Sequence, residues 1–285
     1  MTDPEAVEED RKVAPDIDPA LRARWRVPAF DIVMWRERSA QTPRHRRCVV
    51  IPVLNEGERI TRLLARIDAL AIPDLADIVI IDGGGTDGSL APEALQSRRV
   101  RGLLRKTGPG KLSAQLRCAY AFAVDNGYVQ IVTIDGNDKD DPAAIPAFFA
   151  ALDDGYDFVQ ASRFIDGGVA ENTPAIRTAA IRLLHAPLLS IFSGFHWTDT
   201  TQGFRGYSRH LLVDPQVAIF RDIFTRYELL AYLSYRAPKL GYRCIEIATR
   251  RSYPASGAIP TKIGWKENFG LIRTLITACS GGFDP

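Results

Sequence analysis

The sequence predicts an α/β protein, a mainly parallel sheet flanked by helices with a helical extension at its C-terminal end. Three observations carry that prediction. Between Cys48 and Ser162, short β-branched apolar runs alternate with stretches of helical period, the pattern of parallel strands joined by helical crossovers. The runs are nearly all apolar, as in strands covered on both faces. Three of them finish in polar residues, at Asn55 and Glu56, at Asp82 and at Asp135. Open parallel sheets hold ligands beyond such strand ends, although loop starts favour Asp and Asn in any case.

In chain order, residues 1–47 form an arm broken by prolines, without clear period, ending on the basic run Arg44, His45, Arg46 and Arg47. CVVIPVL (48–54) is the first buried strand. From 56 to 70, Ile60, Leu63, Leu64 and Ile67 share one helical face, and Pro73 marks the exit. DIVIID (77–82) is the second strand and runs into DGGGTDGS. A helix near 90–97, a strand near 100–105 and a helix over 111–126 follow. Then come the strand YVQIVTID, a helix after Pro142 and the strand YDFVQAS. Beyond Arg163 the rhythm breaks: helices are expected over 174–193, 223–236 and 263–279, and a strand over 242–250. The chain therefore divides into an arm (1–47), a body (48–250) and a flap with a last helix packed on the same domain (251–285).

Composition excludes several classes. Of 285 residues, 46% are hydrophobic and 25% charged, near the average for folded soluble chains. A net charge of +2 gives no global field for wrapping nucleic acid. Cys48, Cys118, Cys244 and Cys279 form no CxxC pair and read as reduced packing residues. The acidic N-terminus has no apolar signal core, and no stretch offers about 18 uninterrupted apolar residues for a membrane span. The expectation is a cytoplasmic protein, at most peripheral on the cytosolic membrane face. His45, His185, His196 and His210 have no zinc-ligand spacing.

Two loops carry the chemistry. Gly83, Gly85 and Gly88 formally satisfy GxGxxG, but a dinucleotide fingerprint follows the first strand of its unit, with an acidic residue about 20 positions on. Here the loop follows the second strand, and Asp82 before it would oppose a pyrophosphate while accepting hydrogen bonds from a base or ribose. A glycine turn capped by Thr86 or Asp87 explains the glycines alone. The second loop, TIDGNDKDDP (133–142), crowds Asp135, Asn137, Asp138, Asp140 and Asp141. Such carboxylates repel unless a cation sits among them, and a divalent metal carrying a diphosphate is the expected one. Asp140 and Asp141 also fit a solvated loop that opens the next helix.

IPVLNE (51–56), DGGGTDGS (82–89), GPGK (108–111), DGNDKDDP (135–142), ASRF (161–164) and DTTQGFRGYS (199–208) together resemble family 2 glycosyltransferases, most closely their dolichol-phosphate or polyprenyl-phosphate mannosyltransferase branch. The likeness covers about residues 48–250. It implies a GT-A fold that binds a nucleotide-diphosphate sugar, a GDP- or UDP-hexose, with Mg or Mn. By position, Pro52, Asn55 and Glu56 would line the nucleoside pocket, Asp82 would hold base or ribose, and Lys111 would lie near the nucleotide. Asp135 would open the DxD signature and touch ribose or metal. Here the pattern departs: the second acidic place is Asn137, followed by Asp138, and Lys139 could replace metal charge against phosphates.

A lipid-phosphate acceptor is already an anionic nucleophile and needs arginines rather than a base. The resemblance maps these to Arg163 and Arg177, either of which also fits an ordinary surface role. A hydroxyl acceptor would need a carboxylate base, for which Asp199, beside a Gly203 that permits close backbone approach, is the candidate; it also fits a loop brace. Arg205 would hold a phosphate or pair with Asp199 or Glu228. Arg250, Arg251, Lys262 and Lys266 with Tyr253 and Trp265 read as a flap or a lipid-headgroup patch. The apolar stripe of helix 176–193 fits core, a homodimer contact or a membrane surface. The expected function is inverting hexosyl transfer to a polyprenyl phosphate, with a sugar hydroxyl in polysaccharide, glycolipid or secondary-metabolite synthesis as the alternative. A non-catalytic sugar-nucleotide binding protein and a NADP-dependent oxidoreductase are the readings from other classes.

Overall fold

The computed structural model describes residues 17–36, 45–95, 97–254 and 265–285. In chain order the helices and strands are α1 (Pro19–Ala23), β1 (Phe30–Trp35), β2 (Arg47–Val53), α2 (Glu58–Ala69), β3 (Asp77–Asp82), α3 (Pro92–Leu95), β4 (Gly102–Lys106), α4 (Leu112–Asp125) and β5 (Gln130–Thr133). They continue with α5 (Ile145–Asp153), β6 (Phe158–Ser162), β7 (Val169–Glu171), α6 (Ala175–Ser193, through a π turn at Ile181–His185) and β8 (Arg205–Ser208). The last are α7 (Arg209–Val213), α8 (Glu228–Lys239), β9 (Cys244–Ala248), β10 (Arg250–Ser252) and α9 (Trp265–Cys279).

Eight strands form one sheet in the order β1-β4-β3-β2-β5-β8-β6-β9, and β10 pairs with β7 in a separate ribbon. The expected parallel core is present: β2 lies parallel to both β3 and β5, and β3 to β4. Their sequences dictate this burial. Six of the seven residues of β2 and all of β3 are buried, so each strand needs cover on both faces. One face is covered by α2, whose Ile60, Leu63, Leu64 and Ile67 are buried at helical spacing, together with α5. The other is covered by α4, buried from Ser113 through Val124, and by parts of α6 and α8. Leu70 closes α2, and Ala71 in the left-handed region turns the chain into Pro73.

Several elements differ from expectation. The arm supplies β1, an antiparallel edge strand on β4 with a bulge between Ile32 and Met34; this short segment lacks period, and only its partner defines it as a strand. Strand β8 runs antiparallel between β5 and β6. The expected strand over 242–250 breaks at Thr249 into β9 and β10, the helix near 90–97 shrinks to α3, and α8 begins at Glu228 and passes through Pro238. The four cysteines are buried free thiols, as expected. Helix α6, 19 residues, is long and apolar enough by length and composition alone to cross a membrane, although Arg177, Arg182 and His185 interrupt it, and only 17% of that window is buried.

Candidate active site

Beyond the carboxyl ends of β2 and β5 lies a cavity of about 690 Å³, lined in part by Pro52, Asn55, Glu56, Lys111, Asp135 and Asn137. These six expected residues are brought together by parallel register. Asn55 adopts φ of 51° just after β2, and its Oδ1 accepts the Thr86 N–H at 2.7 Å; Asn tolerates this left-handed turn better than most residues. Asp87 accepts the Gly57 N–H at 2.7 Å. The two loops after β2 and β3 are thereby locked together. Glu56 is paired with Arg59 at 2.7 Å.

Asp82, expected on base or ribose, shapes its own loop. One carboxylate oxygen accepts the N–H groups of Gly84 and Gly85 at 2.9 and 2.6 Å, and the other faces Arg105 at 3.1 Å. Gln115, which the sequence reading passed over, sits in the cavity wall and donates to the carbonyls of Val53 and Ile81 at 3.0 and 2.6 Å. It ties the ends of the two strands together. A lone amide within an otherwise apolar helix face was the signal.

Glycines admit the remaining close approaches. A Cβ on Gly203 would lie 2.4 Å from Asp135 Oδ1, and one on Gly136 would lie 2.8 Å from the Val53 side chain. The expected role of Gly203, close backbone approach, is thus to make room for the Asp135 carboxylate.

The crowded acidic loop does contain cations, and they are arginines. Asp138, at φ of 56°, turns its carboxylate to Arg62 and Arg66 at 3.2 and 3.1 Å. Asp141 caps the turn at Pro142 and meets Arg66 at 2.7 Å. Asp140 corrects the expectation of a solvated residue: it is 1% exposed and bonded to Arg251 at 2.5 Å. Arg251, expected on an open flap, is buried in the cavity wall, and its other terminal nitrogen lies 3.5 Å from Asp135. Backbone pairing puts it there, since Ser252 N–H donates to the Lys139 carbonyl and Asp141 N–H to that of Arg250. Burial works against the Arg251 charge, but Asp140 and Asp135 more than offset it and hold the guanidinium above its ordinary pKa. Residues 255–264, including Lys262, and the side chain of Lys266 lie outside the described residues.

The expected metal ligands Asp135, Asn137 and Asp138 do not converge. Asp135 already has a guanidinium beside it, Asn137 Oδ1 accepts the Lys139 N–H at 3.2 Å, and Asp138 faces the arginines of α2. Among the described residues no three His, Cys, Asp or Glu side chains group to hold an ion. A divalent metal favours carboxylate oxygens, and this donor set, one arginine-paired carboxylate and a neutral amide, does not fit a protein-held one.

The same cavity is also lined by Lys139, Arg177, His185, Thr200 and Thr201. Behind them Arg163 and Asp199 form a sealed pair at 2.7 Å, with side chains 1% and 0% exposed. Gln202 also donates to Asp199, at 2.6 Å. Burial alone would raise the Asp199 carboxyl; Arg163 and Gln202 outweigh it and hold it below its ordinary value. Neither Arg163 nor Asp199 reaches the cavity surface, so the expected phosphate arginine and general base are occupied with each other. Arg205 pairs with neither Asp199 nor Glu228: it donates to the carbonyls of Gln202, Leu230 and Thr200 at 3.0, 2.7 and 2.8 Å, bracing the loop before β8. His185 meets the Thr200 hydroxyl at 2.6 Å, and burial, with Arg205 nearby, lowers its pKa to about 4.

Comparison with known proteins places this geometry. The family model described as Glycosyl transferase family 2 matches residues 48–225. Polyprenol monophosphomannose synthase of Mycolicibacterium smegmatis is 27% identical over 211 residues, covering 72% of this chain and 77% of that protein. Dolichyl-phosphate hexose transferase of Haloferax volcanii is 30% identical over 171 residues, covering 58% and 68%. Among solved structures, mannosyl-3-phosphoglycerate synthase from Rubrobacter xylanophilus superposes with a TM-score of 0.57 at 15% identity, covering 83% and 73%. Glucosyl-3-phosphoglycerate synthase from Mycobacterium tuberculosis, solved with Mn2+, UDP-glucose and phosphoglyceric acid, gives 0.54 at 18% identity, covering 82% and 79%. These two likenesses show the shared fold.

Proposed function

The chain belongs to glycosyl transferase family 2, and from that premise we propose that it is an inverting hexosyltransferase that moves the sugar of a GDP- or UDP-hexose onto a polyprenyl phosphate. The carrying observation is one cavity lined both by the strand-end residues Asn55, Glu56 and Asp135 and by the cations Lys139, Arg177 and Arg251. The relatives of Mycolicibacterium and Haloferax, both named for polyprenol or dolichyl phosphates, support the acceptor.

In this reading the nucleoside rests against Pro52, Asn55 and Glu56, with Asp135 toward the ribose, while Lys111 flanks the diphosphate. Arg177 receives the acceptor phosphate. An oxygen of that phosphate attacks the anomeric carbon, the bond from this carbon to the diphosphate breaks, and the electron pair leaves with the nucleoside diphosphate. A phosphate dianion brings no proton that must be removed, so the step needs no base. The hydroxyl-acceptor alternative would require one, and Asp199 is enclosed by Arg163, Gln202 and Thr201. Asp199 and Asp82 are positioning residues in this scheme, acting through the loop before β8 and the glycine loop.

The lipid acceptor also suits α6. This helix turns Arg177 and His185 to the cavity while Ile176, Leu183 and Ile191 are 83%, 78% and 74% exposed. An amphipathic helix of this kind beds its apolar face at the headgroup boundary. The acceptor phosphate could then enter the cavity with its chain still in the bilayer.

A mass-spectrometric screen of UDP- and GDP-hexoses against polyprenyl phosphates and simple glycans tests the proposal. A hexosyl-phosphoryl-lipid product is expected. Transfer confined to glycan hydroxyls would overturn it.

A further inference from the structure

Lys139, Arg177 and Arg251 converge on a single buried ring, with Tyr253 4.9, 5.8 and 5.9 Å from their charged atoms. The ring is 3% exposed. Burial alone would raise the Tyr253 phenol, yet the charges of Arg251, Arg177 and Arg163 outweigh it and lower it from its ordinary value. Positive charge therefore dominates this corner, although Asp135 and Asp140 both face Arg251. An anion entering the cavity that these three cations line would meet that charge.

The position of the cluster identifies the anion. Lys139 belongs to the same loop as Asp135 and Asn137, and Arg251 is fixed to that loop by main-chain and side-chain bonds. Both cations therefore line the cavity beside Asp135 and Asn137. Resting on the glycosyltransferase reading above, we infer that Lys139 and Arg251 form a built-in cationic centre for the donor diphosphate, so that binding and departure of this group proceed without a divalent metal. The charge that develops on the leaving diphosphate is met by an ammonium and a guanidinium already in place. Arg177, on α6, serves the acceptor side instead.

Calorimetry on the full chain with UDP, GDP and the corresponding nucleosides, in EDTA and then in MnCl2, tests this. In EDTA one nucleoside diphosphate is expected to bind at least about ten-fold more tightly than its nucleoside, a difference of about 1.4 kcal/mol, with little change on adding Mn2+. Lys139→Met removes that preference while nucleoside affinity and thermal midpoint stay near those of the wild type; Arg177→Ala leaves the preference in place. Replacing Arg251 would leave Asp140 buried without its partner, so Lys139 is the informative site. A preference that appears only with Mn2+, or that survives Lys139→Met in EDTA, overturns the inference and leaves the donor reading intact. Binding of neither nucleotide nor nucleoside overturns both.

Discussion

Arg163 and Asp199 make a fully enclosed ion pair, Nε to carboxylate at 2.7 Å, at the point where the end of β6 meets the loop before β8. The pair explains why neither residue is exposed in the cavity it borders. It also leaves the most base-like carboxylate of the sequence bonded to Arg163 and Gln202.

Asp199→Asn should therefore act first on stability. Removing one member of a buried pair costs about 3–5 kcal/mol, and a retained amide oxygen places this variant toward the low end. The carboxyl is depressed in the folded state, so its contribution is present above the ordinary value of 3.8 and is lost as pH falls through the lower folded value. Urea midpoints measured against pH should show a shallower acid loss in the variant. Wild-type stability with a loss of about 10² or more in turnover would instead make Asp199 a base.

Gly203→Ala should disable donor binding without unfolding the chain. The added methyl would fall 2.4 Å from Asp135 Oδ1, and the carboxylate must move off the nucleotide wall. Affinity for the preferred nucleoside diphosphate should drop about ten-fold or more. Calorimetry giving wild-type affinity would remove Asp135 from the donor site.

His185 predicts a pH signature of stability. Its pKa falls to about 4 in the fold against an ordinary 6.5, so between those values the unfolded chain binds more protons and stability declines as pH drops. His185→Gln should lack this part of the decline. Parallel denaturation curves for the two proteins from pH 7 to 4.5 would contradict the assignment.

The exposed stripe of α6 predicts membrane contact. Replacing Leu183 and Ile191 together by Ser should weaken sedimentation with phospholipid vesicles and raise the KM for a long-chain polyprenyl phosphate. A short, water-soluble isoprenyl phosphate should be used equally well by both proteins. Unchanged vesicle binding would assign the stripe to another contact.

Gln115→Leu should loosen the seam between β2 and β3. It would remove the side-chain donor shared by the buried carbonyls of Val53 and Ile81, the first of which keeps the Gly83 N–H, at about 0.5–1.5 kcal/mol for each bond lost. A chemical-denaturation midpoint equal to that of the wild type would show that the bridge is dispensable.

The sequence by itself determined the parallel core and the wall on which a nucleotide would rest. β-branched runs, helical spacing and strand-end polar residues are local signals, and they place Asn55, Glu56 and Asp135 at one rim without knowledge of any long-range contact. Strand β1 escaped because an edge strand is defined by its partner, and Gln115 because its targets are two distant carbonyls. Only the tertiary structure decided which cations neutralise the acidic loop. Residue composition showed that Asp135, Asp138, Asp140 and Asp141 required positive charge, but Arg251 meets Asp140 across 111 residues of chain, and Arg163 meets Asp199 across 36. Charge pairing depends on distance in space and on exclusion of water, and neither is written in the spacing of residues along the chain.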